Sequence, residues 1–141
     1  FKIGAGMLVD LIPLWVRRCI PLTEQDEAQV SYTKKIVKKD GKINWEEDVQ
    51  LISRKVRAYS PWPGTFSTWR GKNFKLLSVT ISDLVAKEHF GKLMGTVGEG
   101  LYVATGRGVL KIENLQIEGK QPISAKEFMI GYPDFDQDIL R

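Results

Sequence analysis

The sequence predicts a mainly β domain: a small barrel, closed or partly open, with one inserted α-helix and a second helix ahead of it. Three observations predict it. Short alternating runs recur between residues 65 and 117, broken by glycine turns such as Gly98-Glu99-Gly100 and Gly106-Arg107-Gly108. Residues 60–75 read as a hinge from a helix into a hairpin. One stripe of apolar residues at helical spacing, Val49, Ile52, Val56 and Tyr59, sits just before that hinge. At 141 residues the chain is long enough for one domain with a real core.

The hinge carries most of the local information. Pro61 and Pro63 flank Trp62, and Pro61 pushes Ser60 out of helical geometry, so a preceding helix must stop there. Gly64 releases the chain into Thr65-Phe66-Ser67-Thr68-Trp69, which has the period of a strand. Arg70-Gly71-Lys72 reads as a tight turn with a positive tip, because glycine tolerates positive φ. Residues 73–82 then return as the second strand.

The other elements follow in order. Residues 5–19 read as a helix, because Met7, Leu8, Leu11, Ile12, Trp15, Val16 and Cys19 make one apolar stripe. Pro13 should kink or split it. Residues 21–31 are polar and acidic and read as a linker. A first strand is expected over residues 32–37, and a lysine-rich turn over 38–42. Asn44 reads as the N-cap of a helix reaching about Tyr59, with Glu46, Glu47 and Asp48 facing its positive end. Arg54 and Arg57 fall on the side opposite its apolar stripe. Residues 84–92 read as a loop or short turn, and residues 93–97, 101–105 and 109–117 as strands. Ser124 is expected to cap a short helix over 125–130, stopped by Gly131. The acidic tail, 132–141, is expected to be loose.

Charge narrows the function classes. The net charge is only +4, but residues 34–75 carry eleven Lys and Arg against four Asp and Glu, a net +7. Such a concentration favours a polyanionic partner. Catalytic constellations do not emerge. The single histidine, His89, lies in a polar stretch with nothing to mark a nucleophile beside it. Asp134, Asp136 and Asp138 lack the glycine and glutamate of a calcium loop, so no metal site is expected. One cysteine, Cys19, makes neither an internal disulfide nor a multi-cysteine metal site. The apolar run over 7–16 is interrupted and too short to cross a membrane, and Arg17 and Arg18 follow it rather than precede it, unlike a signal peptide. No membrane partner and a cytoplasmic location are the expectation. The chain starts at Phe1, which suggests a fragment or a processed chain.

Four blocks in order carry a family resemblance. They are Tyr32-Thr33-Lys34-Lys35-Ile36 with Gly41-Lys42-Ile43-Asn44-Trp45; Arg57-Ala58-Tyr59-Ser60-Pro61-Trp62-Pro63-Gly64-Thr65-Phe66; Gly95-Thr96-Val97; and Leu115-Gln116-Ile117-Glu118-Gly119-Lys120 with Ser124-Ala125-Lys126-Glu127-Phe128. Together, over roughly residues 22–131, they resemble the C-terminal domain of the methionyl-tRNA formyltransferase family.

The resemblance implies an OB-like barrel over 32–131, preceded by a remnant helix of the catalytic domain (1–20) and a linker (21–31), with a tail at 132–141. It implies an enzyme that moves a formyl group from 10-formyltetrahydrofolate to the amino group of initiator methionyl-tRNA. The folate site and the catalytic His-x-Ser-Leu-Leu-Pro segment would belong to an N-terminal catalytic domain, and that segment does not occur in this chain. This part would bind tRNA without catalysing, as a monomer working with its own catalytic domain and holding no cofactor or metal. Lys34, Lys35, Lys38, Lys39, Lys42, Arg54, Arg57, Arg70, Lys72 and Lys75 are the candidate phosphate contacts. Trp62 and Trp69 could stack on bases, but packing in the barrel is the preferred reading of both. A related formyltransferase acting on a nucleotide-linked amino sugar, and a stand-alone OB-like nucleic-acid binder, are the alternatives.

Overall fold

The computed structural model describes residues 1–85, 87–96 and 98–141. The chain divides into two compact units, Phe1–Lys34 and Lys35–Arg141.

In the first unit, helix α1 (Lys2–Val16) runs through Pro13 without splitting. It buries none of its side chains, so Met7, Leu11 and Trp15 stay exposed. After it comes one 3₁₀ turn, Glu27–Gln29, capped by the Asp26 carboxylate accepting from the Ala28 N–H at 2.9 Å.

The second unit is mainly β with one inserted helix, as expected. Its strands are β1 (Thr65–Trp69), β2 (Lys72–Ser82), β3 (Leu93–Thr96), β4 (Gly100–Ala104), β5 (Val109–Ile117) and β6 (Ile123–Ser124). They form one antiparallel sheet in the order β1-β2-β5-β4-β3, with β6 on β5. Helix α2 (Val49–Ala58) precedes β1, and helix α3 (Ala125–Gly131) follows β6. Ser124 caps α3 as expected: its hydroxyl accepts from the Glu127 N–H, and Glu127 accepts from the Ser124 N–H at 2.7 Å. The hairpin tip is Arg70 (φ 47) and Gly71 (φ 76), the backbone of a two-residue primed turn. Strand 93–97 is found as β3 up to Thr96. Val97, and Ala86 in the 84–92 loop, lie outside the described residues.

One face of β1, β2 and β5 makes the core. Trp69, Phe74, Leu76, Leu115 and Ile117 point inward and meet Ile52 and Val56 of α2 and Phe128 of α3. Trp69, Phe74, Phe128, Tyr132 and Phe135 form an aromatic cluster of edge-to-face and tilted pairs at centroid separations of 4.8–6.2 Å. Such pairs contribute roughly 0.5–1.5 kcal/mol each beyond their buried area.

Three expectations are corrected. Residues 32–37 form no strand, because no neighbouring strand pairs with them. Instead the Val37 N–H donates to Asp40 at 2.9 Å and opens a 3₁₀ turn, Lys38–Gly41. The second helix begins at Val49 and not after Asn44; its cap is Asp48, accepting from Gln50 N–H at 2.7 Å. The reason is burial. Trp45 is 4% exposed and its indole donates to the Ser67 hydroxyl at 2.9 Å, while the Trp45 and Glu47 carbonyls accept from the Gly106 N–H. Residues tied to the sheet in this way cannot wind into a first turn.

The tail is the third correction: it is packed, not loose. Phe135 and Leu140 are buried. Among the described residues, edge strands β1 and β3 do not pair with each other, so the strands alone leave the sheet open. The tail bonds to both edges. Thr68 and Arg141 exchange backbone hydrogen bonds, Leu93 N–H donates to Asp138, and Leu140 N–H donates to Gly91.

Candidate nucleic-acid interface

The outward face of β1, β2 and β5 is built by the same alternation that fills the core. Thr65, Ser67 and Trp69 point inward, so Phe66 and Thr68 point out. Register then aligns three outward residues across three strands: Phe66 is opposite Lys75, and Lys75 is opposite Gln116. Asn73 and Glu118 extend this row toward the hairpin. The Asn73 N–H donates to the Glu118 carboxylate at 2.9 Å, and the Glu118 N–H donates to the Asn73 carbonyl at 2.8 Å.

The 3₁₀ turn closes one side of this face. Ile43 N–H donates to the Phe66 carbonyl at 2.9 Å, and Gly41 lies against the Gly64 carbonyl with no room for a side chain. A Cβ at Gly41 would also sit 3.5 Å from the Phe66 ring. This approach brings Lys38 over the sheet. The result is a cleft of about 280 Å³ lined by Lys38, Pro63, Phe66, Asn73, Lys75, Gln116, Glu118 and Gly119. Two ammonium groups and one carboxylate border it, with an aromatic ring and a proline as apolar walls.

Of the ten predicted contacts, Lys38 and Lys75 share this cleft. Lys35 and Lys39 are exposed on and beside the same turn. Lys34 belongs to the first unit. Lys42 borders a different, more open hollow with Trp45, His89 and Arg141. Arg54 and Arg57 are exposed on α2, while Lys55 between them is held by Glu47 at 2.6 Å. Lys72 is exposed at the start of β2, opposite Trp69. Arg70 differs from the others. It bonds the Asp134 carboxylate at 2.8 Å and that of Asp138 at 2.7 Å, and lies 4.8 Å from the centroid of the Trp69 ring. Its pKa is raised, first by the hydrogen bond to Asp134, and Asp134 is in turn held below the usual carboxylate range by Arg70.

The tryptophans divide. Trp69 is 3% exposed and packs in the core, as preferred. Trp62 is 62% exposed, against that reading. It sits between two cis bonds, Ser60-Pro61 and Trp62-Pro63. The cleft walls Phe66, Asn73, Gln116 and Glu118 were not among the predicted contacts. Period two marks Phe66 as outward-facing, but nothing local says that β5 lies beside β2. Among the described residues no cluster could hold a metal ion, and no helix is long and apolar enough to cross a membrane.

Comparison with known proteins agrees with the architecture. A family model described as formyl transferase, C-terminal domain, matches residues 35–133. A methionyl-tRNA formyltransferase of Roseiflexus castenholzii is 39% identical over 132 residues, covering 93% of this chain and 42% of the relative. One from Geobacter metallireducens is 38% identical over 108 residues, covering 77% and 34%. The chain thus spans about two fifths of the length of these relatives. A crystal structure of HypX from Aquifex aeolicus with tetrahydrofolic acid superposes at a TM-score of 0.59. It is 19% identical and covers 90% of this chain and 22% of that one, a likeness of fold alone.

Proposed function

The chain belongs to the formyl transferase C-terminal domain family, and from that premise we propose that it is the tRNA-holding part of a methionyl-tRNA formyltransferase. The whole enzyme would transfer a formyl group from 10-formyltetrahydrofolate to the amino group of initiator methionyl-tRNA, in translation initiation in the cytoplasm. Folate and the reacting groups would be held by an N-terminal catalytic domain, to which α1 would belong. The present chain would act as a monomeric, OB-like binding domain without chemistry of its own.

The observation that carries the reading is the set of exposed cations between residues 35 and 75. Lys38 and Lys75 meet at one cleft, with Lys35 and Lys39 exposed on and beside the turn. Arg54 and Arg57 add exposed guanidiniums on α2. Contacts from such groups neutralise phosphates, and so position an RNA without reading its sequence. Arg70 contributes least, because two aspartates already offset its charge. The names of the relatives support tRNA as the polyanion.

Two double variants test this: Lys38→Ala with Lys75→Ala, and Arg54→Ala with Arg57→Ala. Each should weaken binding to initiator tRNA and flatten its dependence on salt, by about one unit of logarithmic slope per cation removed. Unchanged slopes in both would remove these residues from the interface.

A further inference from the structure

We propose that the cleft between the lysine turn and the outer face of β1, β2 and β5 takes one unpaired nucleotide of the bound RNA. The inference rests on the tRNA-holding reading and adds a mode of recognition to it. A flat basic surface would bind phosphates on any duplex. This face is not flat and not only basic. Phe66, Lys75 and Gln116 stand side by side on three adjacent strands. Lys38 closes over them from the turn, because Gly41 lets the backbone touch Gly64.

The arrangement sorts a nucleotide by its parts. The ring of Phe66 and the flat side of Pro63 offer a base its stacking surface, which is how single strands are held with little sequence preference. Lys38 and Lys75 take the phosphate. Gln116 and Glu118 line the same cleft. The Gln116 amide nitrogen donates to the Lys120 carbonyl at 3.0 Å, and one Glu118 oxygen accepts from the Asn73 N–H at 2.9 Å. This leaves the amide oxygen and the second carboxylate oxygen to accept from the amino groups of a base. Glu118 also discourages a second phosphate at that end, which orients the occupant. At about 280 Å³ the cleft is on the scale of a single small occupant. Stacked, paired bases do not present a free face to such a cleft, so only an unpaired base can enter.

The test uses this 141-residue chain, an adenosine pentaribonucleotide and a blunt RNA duplex of equal phosphate number. The expected result is a preference for the pentamer. Phe66→Leu keeps an apolar side chain but removes the ring, and should weaken pentamer binding about tenfold, the loss that one base–aromatic stack carries. The salt slope and duplex binding should not change. Gln116→Ala, at the rim, should also weaken the pentamer alone, and decides the matter if Phe66→Leu does not fold. Unchanged pentamer binding in Gln116→Ala and in folded Phe66→Leu overturns the cleft. If the lysine variants still weaken tRNA binding in that case, the phosphate surface survives without it. A wild-type chain that binds neither tRNA nor pentamer at low salt overturns both readings.

Discussion

Thr68 and Arg141 exchange both of their backbone hydrogen bonds, at 2.6 and 3.0 Å, although 73 positions separate them in the chain. The last residues therefore extend β1 at its free edge. On their other side, Leu140 and Asp138 bond Gly91 and Leu93 next to and at the start of β3. A strap of four residues spans the gap that the strands leave. Its side chains are anchored too: Leu140 is 2% exposed, and Asp138 accepts from the Trp69 indole at 2.9 Å.

The strap should be a large part of domain stability. Leu140→Ala removes a fully buried side chain and is expected to cost about 2–5 kcal/mol. Urea unfolding measures it. A loss below about 0.5 kcal/mol, the range of surface changes, would mean the tail is not integral.

Arg70 should make stability depend on acid. Asp134 has its pKa lowered first by the hydrogen bond from Arg70. A depressed folded-state pKa contributes stability that is complete above the unfolded value, about 3.9, and lost as pH falls through the lower folded value. Wild type should therefore lose Tm below about pH 4. Arg70→Met should start with a lower Tm at neutral pH and decline less steeply through that window. Parallel curves at low salt would contradict the clamp. Glu127, whose pKa is lowered by Ser124, contributes to the acid limb of both proteins and cancels from the comparison.

Gly41 should be intolerant of a side chain. A Cβ there would collide with the Gly64 carbonyl, which is backbone and cannot swing away. Gly41→Ala is expected to cost about 1–3 kcal/mol, as overpacking does, and to displace Lys38 from the cleft. Denaturant unfolding and pentamer binding check the two halves; unchanged values of both would show that the turn can sit elsewhere.

The two hinge tryptophans should respond in opposite ways. Trp69→Ala empties the aromatic cluster and should cost about 3–5 kcal/mol. Trp62→Ala, at an exposed site, should stay within about 0.5 kcal/mol. Equal losses in denaturant unfolding would overturn the contrast in burial.

The limits of the sequence follow from the same contacts. The hairpin, the strand over 109–117 and the Ser124 cap are legible because their signals are local: alternation, a glycine at positive φ, and a Ser–Glu capping box. The start of α2 is not, since Asn44 and Asp48 are both good caps. The choice falls to Trp45 and Gly106, whose contact spans some sixty residues. The tail reads as solvated charge because three aspartates alternate along it, yet Arg70 neutralises two of those aspartates and Leu140 enters the core. The basic residues can be found by counting, but the cleft cannot. Lys38 meets Lys75 only because the turn docks on Gly64 beside the β1–β2 hairpin, and Gln116 and Glu118 join them only because β5 pairs with β2.

The deciding measurement is binding of this chain to initiator tRNA across a salt series, with duplex DNA as control. A tRNA-holding surface should bind tRNA more tightly than the duplex, with an affinity that falls linearly in log–log form with salt. No binding at low salt, or equal binding of the duplex, would contradict a tRNA-holding surface on residues 34–75.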